Sequence, residues 1–286
     1  MSTTLADTLA RDVPCAAIDL EMTGLDPVHD RICEIGVVGG DGDEATRAWS
    51  TLVRTDVRMS DEAFGIHGIT PDELESAPSF AAVVEPLMAA LDGRMVVGHG
   101  LDIDRKFLAA AWTRLGKEWN EDAWIDTVVV ARRALALSSH KLVDLCDALG
   151  VPKGRLHRAL DDAQAAYGVW RAILQLLDPE GVLTVRGVRE LIDGLAPRSP
   201  FRAQQKQLLR GAFSSRTCVT VAYLSQDEAG RLRRTEREIE IWKLAFPRIQ
   251  GWCRLRNEER VFRLDRMLCV ELTNRSYVIP AFSARI

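Results

Sequence analysis

One change of hydrophobic rhythm constrains this 286-residue chain more than any other feature. Before about residue 195, short β-branched runs alternate with stretches whose apolar residues recur at helical spacing. The strand-like runs are 15–21, 31–38 and 95–98, and the helix-like ones are 79–91, 104–115, 141–149, 159–177 and 184–195. Strands alternating with helices predict an α/β layer fold. Ala196-Pro197-Arg198-Ser199-Pro200 then breaks the pattern with two prolines and polar filler. Beyond it, 201–213 reads as one helix, and 217–224, 236–242, 248–255 and 259–266 alternate at period two, with a turn at Asp227 to Gly230. That second pattern predicts a small β-barrel. The expected organisation is an α/β domain over 1–195, a linker and connecting helix over 196–212, and a smaller β-barrel domain over 213–286. At about 150 residues per domain the length fits two.

Several classes are excluded early. No apolar run approaches the roughly 20 residues of a membrane helix. The start, MSTTLADTLARD, lacks the basic and apolar regions of a signal peptide, so a cytoplasmic location and no membrane contact are expected. The six cysteines form no CxxC pair, which argues against structural zinc and a disulfide framework. Charge is divided unevenly. Residues 1–195 hold 19 Lys and Arg against 32 Asp and Glu, a net −13, and residues 196–286 hold 18 against 9, a net +9. An acidic block followed by a basic one hints at nucleic-acid contact, although a basic face is also compatible with simple solvation.

The acidic block carries the sharpest chemical signal. Asp19 and Glu21 sit two apart at the end of a strand, so their side chains share one face where open α/β sheets bind ligands. A loop acid beside a helix cap would give the same pair. Asp104 opens a helix after the MVVG strand, and a first-turn acid favoured by the helix dipole is the alternative there. Asp102 reads as an exposed neighbour. His157 leads into a helix that carries Asp161 and Asp162, which lie about 100° apart, so only one of them can share a site with the imidazole. Converging carboxylates would raise one another's pKa values unless divalent cations neutralise them, and oxygen ligands suit Mg²⁺ or Mn²⁺.

Read together, AIDLEMTGLDP, GHGLDIDRKFL and HRALDDA resemble the three motifs of the DEDDh family of 3′-to-5′ exonucleases, over about residues 14 to 177. Ile66-His67-Gly68-Ile69-Thr70 and Ile125-Asp126-Thr127 add to the likeness. Gly100 departs from it, standing where many members carry asparagine. The resemblance implies an RNase H-like fold and two cations held by Asp19, Glu21, Asp104 and Asp162. It also implies His157 as general base, and nucleoside 5′-monophosphates as product. It further implies substrate contacts from the backbone around Thr23 and Gly24. His67 is expected either to touch a phosphate or to be satisfied by backbone, while His29 and His140 read as surface or helix-start residues.

Residues 213–267 resemble a WYL domain, a small Sm-like or SH3-like barrel, most closely in RVFRLDRM. The name-giving tripeptide is replaced by about Pro247-Arg248-Ile249. The resemblance implies a module that senses nucleic acid or nucleotides. Arg260, Arg263 and Arg266 are candidate phosphate contacts, and Trp252 or Tyr223 candidate base platforms. The alternative leaves Phe262 and Leu264 in the core and pairs the arginines with Glu258, Glu259 and Asp265. The expected partner is nucleic acid, with single-stranded DNA or 3′ ends favoured. An RNA-directed exonuclease and a non-catalytic nucleic-acid sensor are the rival readings.

Overall fold

The computed structural model describes residues 3–42, 44–119, 124–178, 181–193 and 200–280, with the side chains of 3–4 and 200–204 left aside. Residues 196–199 of the expected linker and 281–286 of the expected second domain lie outside the described residues. The chain divides into two compact units, residues 1–132 with 139–189, and 133–138 with 190–286.

In chain order the first elements are α1 (Thr3–Ala6), β1 (Cys15–Met22), β2 (Ile32–Gly40), β3 (Arg47–Leu52), α2 (Asp61–His67), α3 (Pro71–Glu75) and α4 (Phe80–Leu91). They are followed by β4 (Met95–Gly98), α5 (Asp102–Arg114), β5 (Trp124–Asp126), α6 (Thr127–Ala134), α7 (Leu142–Leu149), α8 (Ala159–Leu177) and α9 (Val185–Asp193). The strands form one sheet in the order β3-β2-β1-β4-β5. β1, β2 and β3 run antiparallel, and β4 and β5 run parallel to β1. This is the RNase H-like α/β fold.

Alternation along β1 divides its residues between two faces. Ala16, Ile18 and Leu20 join Ile35 and Val37 of β2, and pack with Leu87 of α4 and Phe107 and Leu108 of α5 in one buried cluster. Asp19 and Glu21 take the opposite face, across from Gly36 and Glu34 of β2. Helix α8 covers that face. Its first turn lies so close to the sheet that a Cβ on Gly36 would stand 2.2 Å from the carbonyl carbon of Ala159. Glycine at 36 is therefore what lets the helix N-terminus reach the acids of β1.

Strands β3 and β5 escaped the sequence pattern. β5 is three residues long, too short to show a period, and β3 is partly exposed along its length.

The second unit contains α10 (Pro200–Ser215), β6 (Thr217–Gln226), β7 (Leu232–Ala245), β8 (Arg248–Cys253), β9 (Glu258–Arg263), a 3₁₀ turn at Leu264–Arg266, and β10 (Met267–Ser276). All neighbouring strands are antiparallel, in the order β10-β6-β7-β8-β9. Leu209 and Ala212 of α10 pack on a core of Val219, Val221, Ile239, Ile241, Ile249 and Phe262. The expected barrel is corrected here to an open sheet with β9 and β10 at its edges. The 3₁₀ turn redirects the chain after Arg263, so the expected strand 259–266 ends three residues early and the last strand pairs with β6. The sheet does curl, since the Tyr223 hydroxyl of β6 accepts the backbone N–H of Arg263 in β9 at 3.1 Å. Among the described residues no helix is long and apolar enough to cross a membrane.

Candidate active site

Strand β1 outruns its parallel neighbour. Pairing with β4 ends at Ala17, so the N–H of Leu20 has no strand partner on that side. Asp104, in the first turn of α5, accepts it through Oδ1 at 3.1 Å. An unpaired N–H at the end of a strand thus draws in the third acid of the site. Asp126 fixes the approach of α5. Its Oδ1 accepts the N–H groups of Gly100 (3.0 Å) and Val128 (2.8 Å), and its Oδ2 accepts that of Leu101 (3.1 Å). Gly100 has a left-handed φ of 79°, a conformation that asparagine also tolerates. Asp102 is exposed and pairs with Lys106 at 3.2 Å.

At the other side, the N-terminus of α8 brings two further groups. Asp162 Oδ2 accepts the backbone N–H of His157 at 3.0 Å, and His157 sits at a left-handed φ of 60°. A non-glycine residue in that region is held there by its surroundings. Asp161 turns away and accepts the N–H of Arg155 at 2.7 Å. Of the two adjacent acids, then, Asp162 faces the site and Asp161 holds the loop. Potential ligand atoms of Glu21, His157 and Asp162 lie within 4.8 Å of one another.

The electrostatics match this crowding. Burial, with Asp162 and Glu34 nearby, pushes Glu21 up to about 8. Burial raises Asp104 to about 7, and burial with Asp104, Glu21 and Asp162 around it holds Asp19 well above the ordinary aspartate range. Asp162 is raised by burial as well. Four oxygen donors that resist ionising together fit hard divalent cations, whose charge would reverse each of these shifts.

Two residues that the sequence did not single out hold the site together. Glu34 of β2 is buried and takes Arg158 in a bidentate pair, Nη2 to Oε1 at 2.7 Å and Nε to Oε2 at 3.1 Å. Its Oε2 also accepts the N–H of Ala159 at 3.0 Å. This ties the α8 N-terminus to the strand facing Glu21, and the pair raises Arg158 further.

His67 is 3% exposed and spends both nitrogens on backbone. Nδ1 accepts from Ile69 at 3.1 Å, which leaves Nε2–H to donate to the Met22 carbonyl at 3.3 Å. Burial lowers its pKa, so it is a neutral clamp between α2 and β1, and the expected phosphate contact is corrected to the backbone role. Thr23 is likewise turned inward. Its N–H donates to Arg31, its hydroxyl donates to Asp30 and accepts from Arg31, and its carbonyl accepts from Ser60. The expected substrate contact from Thr23 gives way to a hairpin role, and neighbouring Gly24 packs against the Asp30 carboxylate.

In the second unit the expected contacts are divided differently. Tyr223 is buried, edge-on to Phe262 at 5.5 Å, so it is core and not a base platform. Trp252 is half-buried and stacked on Trp242 at 5.7 Å. Arg260 pairs with Glu258 at 2.8 Å, and Arg263 donates to Asp265 from both Nε and Nη2. Arg266 lies in the 3₁₀ turn and not on the strand face.

A family model described as Exonuclease matches residues 16–170, and a WYL domain model matches residues 205–272. A PolC-type DNA polymerase III from Thermotoga maritima is 31% identical over 189 residues, which is 65% of this chain and 14% of that protein. The chain thus spans about one seventh of this relative's length. The nuclease domain of 3′hExo, a DEDDh family member bound to rAMP, superposes with a TM-score of 0.52 at 22% identity, covering 62% of this chain and 97% of that one. A structure of exonuclease I reaches a TM-score of 0.53 at 16% identity, covering 96% of this chain and 66% of that one.

Proposed function

The chain belongs to the exonuclease family, and from that premise we propose that it is a metal-dependent 3′-to-5′ exonuclease of the DEDDh type. It would release nucleoside 5′-monophosphates, act in the cytoplasm, and use its basic WYL domain over about 213–286 to bind or sense nucleic acid. The observation that carries this reading is the gathering of Asp19, Glu21, Asp104 and Asp162, all with raised pKa values, beside His157.

In this reading the four carboxylates would hold two Mg²⁺ or Mn²⁺ ions, and these would supply the positive charge that an in-line phosphodiester displacement needs. His157 takes the proton from the attacking water, a task suited to imidazole near neutral pH. The P–O3′ bond breaks, the penultimate sugar keeps the oxygen as its 3′-hydroxyl, and the phosphate leaves on the terminal nucleoside. Asp162 orients the base through the His157 N–H, and the left-handed backbone at 157 aims the ring at the acids.

Single-stranded DNA is our choice of substrate, supported by the DNA polymerase III relative. RNA is the second reading, favoured by the rAMP held by the 3′hExo nuclease domain. A binding-only sensor gains nothing from four mutually repelling acids. The test is a degradation ladder of matched 5′-labelled DNA and RNA oligomers with Mg²⁺, Mn²⁺ or EDTA, beside Asp19→Ala. A metal-dependent ladder lost in the variant is expected. No ladder on either sugar, with binding intact, would turn the reading to the sensor.

A further inference from the structure

The face of the first sheet that carries α4 and α5, away from Asp19 and Glu21, is not filled along its whole length. After β3 the chain is tied to the start of α4, since the N–H of Arg54 donates to the Pro78 carbonyl at 2.8 Å and Arg54 bridges Ser79 as a strand would. Opposite, α5 ends at Arg114, whose Nη2 donates to the carbonyls of Val28 at 3.0 Å and Asp30 at 3.3 Å in the hairpin after β1. Between these two anchored ends lies a cavity of about 350 Å³. Ile32, Val53 and Ala111 are buried beneath it, and Phe80 and Leu115 stand at its sides.

Its charged lining is one-sided. Arg31, Arg54 and Arg114 face a single acid, Asp56, on a block of chain whose net charge is −13. Asp56 is taken by Arg31, Nε to Oδ1 at 2.7 Å. Arg114 is held by carbonyls, which orient a guanidinium without cancelling its charge, and Arg54 is exposed. Among the described residues neither of these two forms an ion pair. An apolar centre inside a charged rim is the anatomy of a protein–protein contact that seats one anchor side chain. A nucleic-acid strand matches it poorly. Its phosphates would suit the rim but gain nothing from Ile32, Val53 and Ala111. Its bases stack on aromatic faces, and the one aromatic lining residue, Phe80, is already packed edge-on to Trp112 at 5.2 Å.

We propose that this cavity is the docking site of an acidic partner peptide, which seats one large apolar side chain over Ile32, Val53 and Ala111 and sets its flanking carboxylates against Arg54 and Arg114. Apolar contact supplies the anchor, and the arginines select acidic segments over basic ones. Because Asp19 and Glu21 lie on the other face of the sheet, the bound peptide leaves the candidate active site open. The nuclease could thus be held on a partner while it works, and the site stands whether or not the second unit binds nucleic acid.

The test uses the full chain in EDTA with a fluorescein-labelled octapeptide of glutamates around one central phenylalanine, read by fluorescence anisotropy. Two control peptides carry alanine for the phenylalanine or lysine for every glutamate. Saturable binding of the first peptide is expected, with both controls at least roughly tenfold weaker. Arg54→Glu reverses one rim charge at an exposed position and should weaken binding by a similar factor while flattening its salt dependence. Ala81→Trp, at an exposed lining position in the first turn of α4, puts an indole into the mouth of the cavity and should abolish binding. Both variants should keep the wild-type unfolding midpoint and, with metal restored, the wild-type degradation ladder. Oligothymidylate should not displace the peptide. No saturable binding, equal binding of the alanine or lysine control, or unchanged affinity in both variants would overturn the docking site. Displacement by oligothymidylate, with strand affinity falling in the same two variants, would also overturn it and give the arginines to the strand. A missing ladder beside intact peptide binding would overturn the exonuclease reading and leave this one standing.

Discussion

At the scale of single residues, the site is defined by carboxylates that are costly to ionise together. Glu21 is raised from 4.5 to about 8 and Asp104 from 3.8 to about 7. Without metal, the folded chain therefore holds protons that the unfolded chain has released. The sign follows from linkage: this contribution to stability is complete below the ordinary carboxylate values, is lost progressively as pH rises from there to about 7 to 8, and is gone above. Thermal melts in EDTA should show a midpoint that falls across that interval, and saturating Mg²⁺ or Mn²⁺ should remove the fall, since cations hold the ionised form. A midpoint in EDTA that climbs with pH over the same interval would contradict it. The same repulsion predicts that Asp19→Ala and Asp162→Ala abolish hydrolysis while the metal-free midpoint stays level or rises, read by a gel assay beside a melt. These acids and His157 were legible in the sequence because their spacing is local to three short motifs. Glu34 and Arg158 were not, because their meaning lies in contact across 124 residues of chain.

Between elements, activity depends on where the first turn of α8 meets β2. The Glu34–Arg158 pair and the missing side chain at Gly36 fix that meeting. Arg158→Leu leaves the buried Glu34 carboxylate without its cation and should lower stability by roughly 3 kcal/mol, measured by denaturant unfolding. Gly36→Ala forces a Cβ against the Ala159 backbone and should cost about 1–3 kcal/mol. Because it moves Asp162 and His157 together away from Glu21, it should also lower kcat more than it raises KM. Wild-type kcat in a folded Gly36→Ala protein would show that the α8 contact does not position the site. Helical period and β-branched runs announced β1, β2, β4 and α8 well. β10 was missed because MLCVELTNRS loses its alternation after Val270 as the edge becomes exposed. The strand at 259–266 was overextended because Leu264 keeps an apolar phase through the 3₁₀ turn, where it is still buried.

Over the whole molecule, an acidic block of net −13 precedes a basic block of net +9. The first repels the phosphates that its active site must receive, unless cations occupy it, while the second attracts them. If both halves serve one substrate, the length of the strand decides how many phosphates the basic half can reach. If the second unit takes up phosphates of the same strand, a long strand neutralises more of them than a trinucleotide does, and each neutralised phosphate adds about 0.7 to the slope of log affinity against log salt. The full chain, assayed for KM at fixed Mg²⁺ across a range of potassium chloride, should therefore show a steeper salt dependence for the long strand than for the short one. Parallel slopes for the two lengths would mean that the positive charge of the second unit is balanced by its own acids. The exonuclease would then act on its substrate through the first unit alone.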